Sequence, residues 1–297
     1  MNISFSGVTK NYSTICALDN ISLTLESNKI YGLFGRNGAG KTTLLNLTTN
    51  RIFPTAGDIY VDGKNIKRHE DVVDNIYYTG ESDLYPEGFT IKNVFKWTGE
   101  FFKNFDMKYA YELCNKFGLD INKRVKSLST GYNSISKIIT AISTNADILL
   151  FDEPVLGLDA YHRDLFYKEL LANYLKKPKT IVLSTHIIDE IVEILNDVII
   201  LKNKKIAIQD SVENLLNSAY CVSGGAKEVK EYILNKKCIH IEYLSSYAMS
   251  TVIEKISEQD KKSASELGLD ITKVELQKLF IYLTNDGGMY HEDNQVV

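Results

Sequence analysis

The chain switches between two hydrophobic periods. Ile3 to Tyr12 sets apolar Ile3, Phe5 and Val8 against polar Asn2, Ser4 and Thr9, the two-residue period of a strand. Ile21-Ser22-Leu23-Thr24-Leu25 repeats it more cleanly, ahead of a turn at Ser27-Asn28. Strand-length apolar runs follow at Ile30–Phe34, Ile148–Phe151, Thr180–Leu183 and Val198–Leu201, with further short strands at Asp58–Val61 and Ile76–Thr79. From Thr90 the period lengthens. Ile91, Val94 and Phe95, then Tyr109, Leu113 and Phe117, then Ile135, Ile138, Ile139 and Ile142 each mark one side of a helix. Further helices are expected across Leu165–Leu175 and Ile187–Leu195. Strands alternating with helices predict an α/β fold with largely parallel central strands and a helical insertion ahead of Ile148.

Beyond Leu201 the character shifts. Lys202–Lys205 turns into Ile206-Ala207-Ile208, and Asp210 with Glu213 reads as the start of a short helix. A strand at Tyr220–Val222, a helix at Ala226–Asn235 and a strand at Cys238–Tyr243 are expected next. Thr272 and Glu275 read as the capping box of a last helix, whose apolar stripe is Leu276, Leu279, Phe280 and Leu283.

The 297 residues are 44% hydrophobic with a formal net charge of −4, enough to bury a large core and a smaller companion. That charge supplies no electrostatic footprint for nucleic acid. Cys16, Cys114, Cys221 and Cys238 lack metal or redox spacing and read as reduced thiols. The N-terminus lacks the basic and apolar regions of a secretory signal, and no apolar run approaches membrane-spanning length. The chain is therefore expected in the cytoplasm, reaching a membrane only through a partner.

Ile30–Phe34 feeds Gly35-Arg36-Asn37-Gly38-Ala39-Gly40-Lys41-Thr42-Thr43, which opens a helix near Lys41. Strand, glycine loop and helix start in that order make a phosphate-binding loop. The glycines let backbone N–H groups turn inward as an anion nest, and the helix N-terminus adds its positive end. Lys41 can reach the β- and γ-phosphates, and the Thr42 hydroxyl can ligate Mg²⁺.

A second element narrows the chemistry. The run Ile148–Phe151 ends in Asp152-Glu153. Beside a phosphate loop, the first acid suits Mg²⁺ through its hydration shell. The second is placed to polarise a water in line with the γ-phosphate. Leu128-Ser129-Thr130-Gly131-Tyr132 precedes that strand, Gly157-Leu158-Asp159 follows it, and Ser184-Thr185-His186 lies beyond. In this order and spacing, Ile3 to about Asn217 resembles the ATP-binding subunits of ABC transporters.

That resemblance implies a P-loop NTPase core with an antiparallel β subdomain and a helical insertion. Residues 1–217 would form the ATPase domain, with its helical subdomain at about 88–145, and 218–297 a small α/β accessory domain. It implies an ATPase using ATP and Mg²⁺, in which two ATPase subunits close head to tail and transmembrane permease subunits, on a separate polypeptide, hold the chain at the inner face of the cell membrane. It places Tyr12 under the adenine, and sets Ser129, Thr130 and Gly131 toward the γ-phosphate held by the other subunit. Glu153 and His186 would be catalytic, and the Gly157–Asp159 segment would cross the dimer interface. Leu276 to Thr284 looks like the tail of exporter-type ATPases of Gram-positive bacteria, implying export of a peptide, antibiotic or other amphipathic compound.

Two departures stand out. The family's LSGGQ is LSTGY here, so Thr130 adds a side chain where the family usually has none. Counting back from Leu84-Tyr85-Pro86, the family's loop glutamine falls on Gly80, with Glu81 beside it as an oxygen ligand acceptable to Mg²⁺. Both departures keep a second reading open, a weakly hydrolysing or non-transport ATP-binding regulator, against which stand Glu153 and His186.

Overall fold

Apolar strands buried along their whole length form the centre of the first of two units. The computed structural model describes residues 1–80 and 85–284, and its contacts divide the chain into Met1–Gln209 and Asp210–Val297. That division falls inside a strand, ahead of the expected boundary after residue 217. The first unit runs β1 (Ile3–Tyr12), β2 (Ile15–Leu25), β3 (Ile30–Gly35), α1 (Lys41–Thr48), β4 (Ala56–Val61), β5 (Lys64–Asn65), β6 (Ile76–Thr79), α2 (Ile91–Phe101), α3 (Met107–Phe117), α4 (Thr130–Ser143), β7 (Ile148–Asp152), α5 (Ala160–Lys176), β8 (Thr180–Ser184), β9 (Asp197–Lys202) and β10 (Lys205–Ser211).

The larger sheet has the order β10-β9-β3-β8-β7-β6, and β9, β3, β8, β7 and β6 pair parallel. Ile30 to Phe34, all of β7 and all of β8 are buried, as parallel strands covered on both faces must be. β10 returns along β9 through Asn203 and Lys204, both at positive φ (50° and 67°), the geometry of a tight hairpin turn.

The second sheet, β2-β1-β4-β5, is antiparallel. Ile3, Phe5 and Val8 share one core with Ile21, Leu23 and Leu25, with Leu44, Leu45 and Leu47 of α1, and with Ile148 and Leu150 of β7. Each such side chain contributes about 1.5–3 kcal/mol when fully buried, so α1, which carries the phosphate loop, is fixed by both sheets. In the insertion, α2 starts on a Thr90–Asn93 capping box, α3 on Asp106 and α4 on Ser129. Val94, Phe95, Leu113, Ile138, Ile139 and Ile142 form its buried faces.

The expected helix at Ile187–Leu195 is not there. Only Val192–Ile194 makes a 3₁₀ turn, while Ile188, Ile191 and Leu195 are nevertheless buried. The segment is dominated by β-branched residues, which lose rotamer freedom in a helix, and burial of those anchors is satisfied without one.

The second unit runs α6 (Val212–Asn217), β11 (Tyr220–Gly225), α7 (Ala226–Ile233), β12 (Cys238–Leu244), β13 (Tyr247–Val252), α8 (Glu258–Glu266), β14 (Asp270–Lys273) and α9 (Leu276–Thr284). From β11 to β14 this is a β-α-β-β-α-β unit with the antiparallel order β12-β13-β11-β14. Two expected caps move. Ser211, not Asp210, accepts from Asn214 N at the start of α6. Thr272 lies in β14 opposite Cys221 and so cannot cap α9; strand pairing claims it instead.

Lys236 reaches Glu254 at 2.9 Å and Asp260 at 2.5 Å, while Ser257 N and Oγ both donate to Asp260. Lys236, and then the Ser257 donors, hold the Asp260 carboxyl down at about 2. A depressed acid stabilises the fold above its unfolded value near 3.9, and that stability disappears as pH falls toward the folded value. Urea unfolding at pH 6 should therefore show Asp260→Asn less stable by about 1 kcal/mol, the pair being partly exposed. The gap to wild type should close between pH of about 4 and about 2.

Candidate functional site

β3 delivers the chain into the glycine loop at the carboxyl edge of the larger sheet. Gly40, the residue before α1, has φ 110°, and a Cβ there would lie 2.5 Å from Leu18 Cδ2 and 2.7 Å from the Ala17 carbonyl oxygen. No side chain caps α1, and its first turn carries no acid, so its leading N–H groups are left for an outside acceptor. Ala39 N donates to Arg36 O at 3.0 Å and Lys41 Nζ to Gly35 O at 2.7 Å, closing the loop on itself.

Asn37 to Thr43 line a cavity of about 560 Å³ with Asp152 and Glu153 at the end of β7, Ile15, Cys16 and Ala17 of β2, and Lys204. That volume lies within the ordinary range for a small-molecule site. Lys204 donates to Gly38 O across the loop. Neither Lys204 nor Cys16 is legible as a site residue, because a hairpin turn and a strand start reach the loop only through tertiary packing. Tyr12 ends β1, is 45% exposed, and has Lys10 Nζ 4.9 Å from its ring centroid.

Asp152 is buried at the end of β7, where Tyr78 Oη donates to its Oδ2 at 3.3 Å. Among the described residues no three His, Cys, Asp or Glu side chains form a ready-made metal cage. Thr42 and Asp152 instead offer a hydroxyl and a carboxylate to the same cavity. This sparse oxygen set fits Mg²⁺, which retains waters and is held jointly with substrate phosphates. Glu153 leaves the sheet at φ 51°, its N–H donating to Ser184 O at 2.8 Å. Its Oε2 lies 2.9 Å from His186 Nδ1. An ionised carboxylate only accepts, so this contact puts a proton on Nδ1.

Glu81 lies outside the described residues. Gly80 does not: Lys137 Nζ donates to its carbonyl at 2.9 Å, and a Cβ at residue 80 would fall 2.3 Å from Tyr78 Oη. The hydroxyl that bonds Asp152 thus occupies the space a side chain at position 80 would need.

Ser129, Thr130 and Gly131 line no part of the loop cavity. They start α4, where Ser129 Oγ accepts from Tyr132 N at 3.4 Å. Thr130 instead lines a second cavity of about 240 Å³, with Gly80, Lys137, Asp152 and Glu153 in its wall. Gly131 has a requirement inside its own chain, since a Cβ there would lie 2.5 Å from the Gly157 carbonyl oxygen. Gly131→Ala should therefore lower stability by about 1–3 kcal/mol with no nucleotide present. Thermal unfolding of the nucleotide-free protein checks this; an unchanged melt would leave ligand approach as the only demand on that glycine.

A family model described as ABC transporter matches residues 18–156. The ABC transporter ATP-binding protein YtrB of Bacillus subtilis is 32% identical over 179 residues, 60% of this chain but only 61% of YtrB. NatA, an ABC transporter ATP-binding protein of the same organism, is 32% identical over 210 residues, 68% of this chain and 85% of NatA. Proteins named as import ATP-binding proteins for ribose, nucleoside and arabinose also match, at 26%, 30% and 29% identity. The dimeric, post-hydrolysis structure of the ATP-binding cassette MJ0796 with ADP and Pi superposes with a TM-score of 0.63, covering 71% of this chain and 98% of that one. At 23% identity that likeness speaks for the fold. Shared identity across most of NatA, on a cassette fold, makes this chain a member of the ATP-binding proteins of ABC transporters, which are ATPases.

Proposed function

We propose that this chain binds and hydrolyses ATP at a site completed by a second ATPase subunit, and so drives a separate membrane permease. The observation that carries this reading is the Glu153–His186 contact at 2.9 Å, with Glu153 lining the cavity of the phosphate loop. Lys41 and the first-turn N–H groups of α1 would hold the β- and γ-phosphates. Mg²⁺, held by Thr42 and through water by Asp152, would neutralise charge on the transferred phosphoryl group. Glu153 accepts a proton from water as that water attacks the γ-phosphorus, releasing ADP and phosphate, and the His186 Nδ1–H keeps the carboxylate aimed.

The head-to-tail dimer is supported by what the loop cavity lacks. Ser129 and Thr130, exposed, and the half-buried Gly131 sit at the start of α4, away from the chain's own phosphate loop, where a second subunit's nucleotide can meet them. ATP then makes its full contacts only in the closed pair, and binding shifts the population toward closure. Among the described residues no helix is long and apolar enough to cross a membrane, and the proposed place of work is the inner membrane face, through the permease. Export of a peptide, antibiotic or other amphipathic compound rests on the Leu276–Thr284 likeness. The import names among the matches make import the alternative, and transport measured in vesicles carrying the cognate permease separates the two.

Glu153→Gln should keep MgATP binding and lose at least about tenfold in turnover, measured by phosphate release. Full turnover would remove Glu153 as the proposed base. Lys41→Ala should lose most nucleotide affinity by calorimetry; unchanged binding would contradict the phosphate-loop assignment.

A further inference from the structure

The contact between Glu153 and His186 joins two loops that leave adjacent parallel strands, β7 and β8. A single 2.9 Å contact between a carboxylate and a largely exposed ring cannot set the spacing of those loops. Two other links do. At the base, Asp152 pairs with Ser184 and Glu153 N donates to Ser184 O at 2.8 Å. On the far side stands Arg163, in the first turn of α5.

All three nitrogens of the Arg163 guanidinium are engaged. Its Nε lies 3.0 and 2.8 Å from the two carboxylate oxygens of Glu190, and Nη2 lies 2.8 Å from Oε1. Its Nη1 donates to the Leu158 carbonyl at 2.9 Å. Leu158 belongs to the loop that begins at Glu153, and Glu190 to the segment that begins at His186. One planar fork therefore spans both, in the bidentate geometry that a lysine ammonium cannot reproduce. Arg163 is itself rooted in the first loop. Its N–H donates to Asp159 O at 3.1 Å, and Asp159 caps α5 through His162 N at 2.9 Å. Leu158, Ile188 and Ile191 are buried, while the ion pair itself stays partly open to solvent, with 21% and 32% of its two side chains exposed.

We propose that Arg163, through Glu190 and Leu158, is a positioning residue that holds the Glu153 and His186 loops at their working separation. It lines no part of the loop cavity, and the proposal rests on the hydrolytic assignment of Glu153 made above. Loss of the fork leaves the sheet intact but lets the two loops drift. Displacements of about an ångström in a reacting group cost up to about a hundredfold in rate, whereas nucleotide binding, set by the loop at Gly35–Thr43, is untouched.

The test uses the full chain with Arg163→Lys and Glu190→Gln, measured beside Glu153→Gln. Calorimetry gives MgATP affinity and the number of competent sites, and phosphate release gives turnover per titrated site, so a fraction of misfolded protein cannot mimic the effect. Turnover per site should fall about tenfold in Arg163→Lys and Glu190→Gln, with ATP affinity held to within about twofold. Turnover per site within about twofold of wild type in either variant, while Glu153→Gln is inactive, overturns the brace and leaves the hydrolytic assignment standing. Full turnover in Glu153→Gln overturns the assignment itself. Should Arg163→Lys not fold, Glu190→Gln, which keeps the guanidinium and removes one acceptor oxygen together with the counter-charge, carries the test alone.

Discussion

Parallel pairing of β3 with β8 and of β8 with β7 is the constraint on which the rest of the site depends. Leu33 stands opposite Ser184, and Ser184 opposite Asp152. Three strands therefore end at one level, and each releases a different chemical part there: the glycine loop, the paired acids and the histidine loop. Parallel strands require crossover connections, so these parts, far apart in the chain, arrive at one edge. Ligand sites in open α/β sheets form at the carboxyl ends of the strands for this reason.

How the chain leaves that edge is as consequential as how it arrives. Glu153 adopts a left-handed backbone conformation, which costs a non-glycine residue of the order of 1 kcal/mol. The Ser184 carbonyl and the Arg163 fork lie on either side of the loop that bears this strain. Strain of this kind persists only where neighbours over-determine the position, and here it coincides with the residue assigned the hydrolytic role. The same economy of space is visible at Gly80 and Gly131. Each glycine makes room for another group, the Oη of Tyr78 two residues earlier in one case and the Gly157 carbonyl in the other.

The second unit has its own core. Tyr220, Val222, Val229, Tyr232, Ile241, Ala248, Val252, Ala264 and Leu269 pack together, and the Lys236 network with Glu254 and Asp260 ties the entrance of β12 to the start of α8. Its β-α-β-β-α-β order was only half legible. Tyr220–Val222 and Ala226–Asn235 announce a strand and a helix, but α8 is mostly polar with Ala264 its one buried residue. It therefore shows no apolar stripe, and its cap at Ser257 and Asp260 was the available signal. β14 carries Asp, Thr and Lys at three of its four positions, and β13 sets Ser250-Thr251 between Met249 and Val252, so neither shows a clean two-residue hydrophobic period and their strand character comes from partners in the sheet.

The sequence by itself determined the phosphate loop, the acid pair, the strands that carry them and the helical insertion, because each rests on short-range spacing or on a hydrophobic period read within a few turns. It also marked residue 80 as irregular without saying why. Tertiary structure alone decided which strands are neighbours, and hence that Glu153 meets His186, that Lys204 reaches Gly38 and that Arg163 joins two loops. It also decided against a helix at Ile187–Leu195 and drew Thr272 into a strand. Those outcomes depend on contacts between segments distant in sequence, where burial and pairing outweigh local preference.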